Sequence, residues 1–215
     1  MLGFIIGMSP VVALGLATLW GKLSQPRVEI VDLTREAPAI KRSKRSQPVD
    51  AIVLHQMAFS RGNDLRRYRN VTAHFVIVPD GQIAQLHPVR ARLPSSHGFN
   101  ARCVSVEFAG NLRSADGRWW KPERFGRNTL TPAQSEAGRQ LLRALRSAGI
   151  RYVFGHRQSS ASRANDPGPE IWSTVAQWAI DELGMSDGGP TYAIGSGQPI
   201  PDVWRTYSLE KGRVA

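Results

Sequence analysis

The stretch YVFGHRQSSASRANDPGP, residues 152–169, decides the fold. Tyr152-Val153-Phe154 is a short β-prone run that delivers Gly155 and His156 at its end. A polar loop follows and closes on Ala164-Asn165-Asp166-Pro167-Gly168, and Pro169 stands where a helix accepts proline, at its first position. Ile171, Val175, Trp178 and Ala179 then share one stripe, and Gly184 stops the helix predicted over 169–183. Strand, loop and helix in this order place one histidine and one aspartate outside regular structure, where side chains are free to converge.

Upstream, Ala51-Ile52-Val53-Leu54 reads as a buried strand ending at His55. Residues 73–78 form a second strand, and Pro79-Asp80-Gly81 turns it into residues 82–86 as a hairpin. Cys103-Val104-Ser105-Val106-Glu107-Phe108 alternates with period two, which puts Cys103, Ser105 and Glu107 on one face. The clearest helix is 132–148, with Thr131 as N-cap, Pro132 at the first position, Gln134 completing a capping box and Gly149 as the stop. Strands mixed with helices imply an α/β fold, a central mixed β-sheet flanked by helices.

The domain organisation follows from composition. The 215 residues suit one domain with extensions. Residues 1–23 hold an apolar segment without charge from 2 to 20, close to the roughly 20 residues that span a bilayer. No basic residue precedes it, unlike a cleaved signal, so a membrane anchor and a segment buried in a larger assembly both stay open. Residues 24–48, with three prolines and the run Lys41-Arg42-Ser43-Lys44-Arg45, read as a basic linker able to hold anionic envelope polymers or lipid headgroups. The globular block is 49–184, and 185–215 reads as an irregular Gly/Pro-rich tail. A net charge of +11 favours a polyanionic partner, but the arginines are scattered and no nucleic-acid motif accompanies them, so no specific nucleic acid is expected. The single cysteine, Cys103, excludes an internal disulfide and a multi-cysteine zinc site.

Any metal must therefore rest on histidines and carboxylates. His55, His156 and Asp166 all fall at element ends. Two imidazoles and a carboxylate leave the fourth tetrahedral position open, which is the pattern of catalytic rather than structural zinc.

The pieces IVLH, TAHFVIVPDGQI, SSHGFNARCVSVEFAGN, LTPAQSEAGRQLLRAL and GHRQSSASRANDPGP, in this order, resemble the type 2 N-acetylmuramoyl-L-alanine amidases, whose fold is shared by peptidoglycan recognition proteins and phage amidase endolysins. The resemblance spans residues 55–172, with the GH…DPGP end its most specific part. It implies a hydrolase using one zinc ion to cut the amide between N-acetylmuramic acid and L-alanine, with His55, His156 and Asp166 as ligands and Glu107 as general base. It also implies a peptidoglycan or muropeptide partner, and a setting in the cell envelope, exported or membrane-associated, or in a phage particle or lysis system. The alternative is a non-catalytic module that binds muropeptide, although relatives of that kind typically lose a zinc ligand.

Two departures stand out. Many members carry a lysine two positions before the last ligand, where this chain has Ala164; Arg163 beside it is the candidate substitute on the substrate side. The tyrosine that phage-type members place before His74 is Ala73, which fits the glutamate-using subgroup. By the same resemblance His97 aligns with a histidine lining the substrate groove. His74 reads as a hydrogen-bonded core residue and Cys103 as a small core residue, while Trp119-Trp120 form a basic aromatic loop, either a glycan contact or a hydrophobic anchor.

Overall fold

In a computed structural model, which describes residues 28–208, the strands are β1 Ile30–Asp32, β2 Ser43–Lys44, β3 Ala51–Gln56, β4 Phe75–Ile77, β5 Ile83–Gln85, β6 Ala91–Arg92, β7 Cys103–Phe108 and β8 Tyr152–Gly155. Six of them form one sheet in the order β1-β5-β4-β7-β3-β8. Only β4 and β5, the expected hairpin, run antiparallel; the other neighbours are parallel, so the sheet is mixed. β2 and β6 make a separate antiparallel ribbon.

The helices are α1 Pro122–Phe125, α2 Pro132–Ser147, α3 Pro169–Ile171, α4 Gln177–Leu183 and α5 Asp202–Arg205, with a π-wound stretch Trp172–Ala176 joining α3 to α4. The capping box at the start of α2 is formed: Gln134 N donates to Thr131 Oγ1 at 3.0 Å and Thr131 N to Gln134 Oε1 at 3.2 Å. α2 and the 169–183 helix cover one face of the sheet, where Ile52, Leu54, Val104, Val106, Phe108 and Val153 meet Leu141, Leu142, Leu145, Trp172 and Val175. Gly138 permits that approach, because a Cβ there would stand 2.9 Å from the Phe108 ring. With Val104, Val106 and Phe108 facing the helices, strand parity turns Cys103, Ser105 and Glu107 to the opposite face, as the alternation predicted.

The N-terminal boundary differs from expectation. Residues 1–27, and with them the apolar segment, lie outside the described residues. Beyond them, the stretch read as a linker is part of the folded body. β1 pairs with β5, Leu33 and Ala37 are buried, and the basic run is built into the protein. The Arg42 guanidinium donates to the carbonyls of Thr34 and Ala37 and to His87 Nδ1. Arg45 donates to the carbonyls of Ala91, Ala101 and Cys103 at 2.6, 2.9 and 3.0 Å, and Lys41 to that of Asn70. Three of the four cations expected to meet anionic polymers are thus engaged by backbone carbonyls. Charge pattern hid this, because a cation bound to backbone oxygen looks in sequence like one bound to water.

The tail also packs. Met185, Ile200 and Trp204 join the core beneath the 169–183 helix, and Arg157 lies 4.9 Å from the Trp204 ring centre. Its apolar residues are too widely spaced to show a period. Among the described residues, no helix is long and apolar enough to cross a membrane.

Candidate active site

Register in the sheet assembles the first half of the site. β3 and β7 run parallel with His55 opposite Glu107, so the next-to-last residues of two adjacent strands present an imidazole and a carboxylate side by side. β8, on the other flank of β3, ends at Gly155 and sets His156 beside them. Glycine is needed at 155: a Cβ would lie 2.8 Å from the Pro167 ring and 3.1 Å from Ile200. The returning loop packs onto that bare backbone and brings Asp166 back to the strand ends, with Arg157 N donating to the Asp166 carbonyl at 2.9 Å.

The three candidate ligands converge as the resemblance implied. Asp166 Oδ2 lies 2.9 Å from His156 Nδ1 and 3.5 Å from His55 Nδ1, and one ligand atom from each residue falls within 4.8 Å of the others. Tetrahedral zinc with bonds near 2.0–2.1 Å separates its ligand atoms by about 3.4 Å. The outer nitrogens have partners of their own: His55 Nε2 meets Ser96 Oγ at 3.0 Å, and His156 Nε2 meets His97 Nδ1 at 2.6 Å. If both Nε2 atoms carry the proton, both Nδ1 lone pairs point inward with the carboxylate, which is the donor set zinc takes. His55, His156 and Asp166 therefore fit one such ion.

Charge is arranged to match. Burial works against ionising Asp166, but the His55 and His156 imidazoles outweigh it and hold this carboxyl well below the usual range. Burial likewise opposes a proton on His55, yet Asp166 raises its affinity for one, whereas burial prevails at His156 and lowers it to about 4. Glu107 behaves oppositely to Asp166: burial pushes its carboxyl up to about 7 against the pull of His55. Its Oε2 is buried and has no hydrogen-bond partner, so it keeps a free acceptor beside the ligands.

His55, Glu107, His156 and Asp166 line a cavity of about 400 Å³ together with Arg61, Asn70, Thr72 and Arg163. A second cavity of about 270 Å³ lies beyond Asp166 and shares Gln56, Arg163 and Asp166 with the first. Arg163 lines both, and its charge reaches His55 and Glu107. Ala164 lines the second cavity with no donor to offer. His97 is exposed and sits against His156, in a left-handed backbone conformation (φ 47°).

Sequence reasoning missed Gln56 and Ser96. Gln56 ties both sides of the site: its Nε2 donates to the Asn165 carbonyl at 2.6 Å, its Oε1 accepts from Leu112 N at 2.9 Å, and its backbone N donates to Asp166 Oδ1 at 3.0 Å. Ser96 is fully buried against His55. Neither residue type announces such a role; only adjacency to His55 and His97 hinted at it.

The two histidines and the aspartate at the strand ends of a mixed sheet could hold a metal ion. Residues 45–169 match the N-acetylmuramoyl-L-alanine amidase family, more than half of the chain, and the protein belongs to that family. No curated protein matches its sequence. Among solved structures it resembles the endolysin N-acetylmuramoyl-L-alanine amidase LysCS from Clostridium intestinale (TM-score 0.51, 18% identity, covering 74% of this chain and 97% of that one). It also resembles Drosophila peptidoglycan recognition protein SD (0.54, 20%, 71% and 95%) and the Ph2119 endolysin of a Thermus scotoductus bacteriophage (0.50, 20%, 69% and 97%). At these identities the likeness establishes the shared fold.

Proposed function

We propose that the protein is a zinc-dependent amidase that hydrolyses the bond between the lactyl group of N-acetylmuramic acid and L-alanine in peptidoglycan, at the cell envelope or in a phage lysis setting. The observation that carries this is the convergence of His55 Nδ1, His156 Nδ1 and Asp166 Oδ2 beside the unpartnered Glu107 Oε2 in the larger cavity. Bound by those three atoms, zinc would polarise the scissile carbonyl and lower the pKa of a water to about 7. Glu107 accepts the proton of the attacking water and returns it to the alanine nitrogen as the C–N bond breaks, leaving a lactyl carboxylic acid and a free amine. Burial raises this carboxyl's affinity for a proton, which suits a group that must hold one between the two transfers. Arg163, between the two cavities, offers positive charge toward the carbonyl oxygen where Ala164 cannot. Ser96 and His97 orient the imidazoles.

The test is to incubate the purified protein with sacculi and with soluble muropeptides, with and without chelator, and to weigh the products. Peptides with a new alanine amine, lost on chelation and restored by zinc, are expected. A zinc-loaded protein that binds these substrates without cutting them would replace the enzyme with a binding module.

A further inference from the structure

The second cavity has a wall that the metal chemistry does not use. Between β7 and α2 the chain carries Trp119 and Trp120, and the two indoles are treated differently. Trp119 is an anchor: its Nε1 donates to the Asn128 carbonyl at 2.9 Å, and the Arg113 and Arg127 guanidinium groups lie 4.7 and 5.9 Å from its ring centre. Asn111, 1% exposed, pins the loop from below by donating to the carbonyls of Trp120 and Gly126 at 2.8 and 2.7 Å. That bracing leaves Trp120 55% exposed, stacked on Phe125 with ring centres 4.7 Å apart and planes 11° from parallel. Trp120 lines the smaller cavity together with Ser162, Arg163, Ala164 and the candidate ligand Asp166. A large aromatic held open to water by a buried polar anchor contributes little to the core and marks a contact surface.

The two cavities differ in chemistry as the two halves of the scissile amide do. On one side of the ligands lie Arg61, Asn70 and Thr72 among Met57, Phe59 and Val71; on the other, beside Asn111, Ser162 and Asn165, lie Leu112 and the one indole that lines either cavity, Trp120. The amine half of the substrate is a peptide bearing carboxylates. The acyl half is an amino-sugar ether whose ring exposes a face of C–H bonds, and such bonds carry partial positive charge that suits the negative face of an indole. We propose that Trp120, backed by Phe125, forms the subsite for the sugar ring of the acyl half, so that the peptide runs through the larger cavity. This assignment rests on the peptidoglycan reading of the site.

Calorimetric binding in a Glu107→Gln background separates the two. The probes are a muramoyl peptide and the same peptide bearing only a lactoyl group. Trp120→Ala is expected to weaken binding of the sugar-bearing ligand about tenfold, with the loss confined to that ligand, while Trp120→Phe retains most of the affinity. Equal losses for both ligands, or none for either, overturn the subsite. If the wild-type chain binds the sugar-bearing ligand through Trp120 but cuts nothing, the subsite stands and the amidase chemistry falls. If it binds neither ligand, both fall.

Discussion

His74 and the pair His55 and His156 are buried alike, 1% exposed against 1% and 4%, yet their ring nitrogens are engaged differently. His74 Nδ1 accepts from Ser105 N at 3.0 Å and its Nε2 meets the Ala91 carbonyl at 2.9 Å, so both nitrogens are satisfied by the protein. His55 and His156 have only their outer nitrogens satisfied in that way; the inner ones face a common carboxylate. Burial therefore does not distinguish a structural histidine from a candidate ligand. What distinguishes them is whether a lone pair is left pointing at a place where other donors also point.

Breaking the second set should have the largest effect. His156→Ala or His55→Ala is expected to abolish both zinc binding, read by metal analysis of the purified protein, and product release, whereas His74→Gln keeps the metal. Next, Glu107→Gln should retain zinc and lose about 10³-fold in turnover. Turnover at the wild-type rate would remove the general base.

The satisfied set predicts acid sensitivity instead. Burial lowers the His74 pKa to about 4 against 6.5 in the unfolded chain, so the unfolded state takes up the proton first. The stabilisation from keeping this ring neutral is complete above about 6.5 and is lost as pH falls towards 4, by about 3 kcal/mol. Urea midpoints followed from pH 7 to 4 should show it, and His74→Gln should flatten the slope over that window. Smaller effects sharpen the comparison further. Arg163→Ala should lower turnover about 10²-fold without loss of metal. Ala164→Lys should raise it about tenfold if the side left open by Ala164 limits the rate; an unchanged rate would mean Arg163 already fills that place.

Much of this was legible in the chain. The alternation at 103–108 oriented Glu107 correctly, and the capping residues Thr131 and Gln134 placed α2 to within one residue of its end. These are local rules of period and capping, which the sequence carries in full. The basic run 41–45 was misjudged because its partners are distant, and the packing of the irregular tail went unread for the same reason. Arg45 reaches carbonyls 46 to 58 residues away, and nothing in its neighbours forecasts that.

Local sequence alone determined which residues could be ligands: two histidines and an aspartate at element ends, and a glutamate on one face of a strand. Only the tertiary structure decided that they meet. Parallel register sets His55 beside Glu107, the bare backbone at Gly155 admits the returning loop, and Gln56 ties Asp166 in place. The same holds for the places of His97 and Trp120, one set against His156 and the other held open on a cavity. The reason is physical: periodicity records which way a side chain points, whereas the distance between residues far apart along the chain is set by packing, which no short stretch contains.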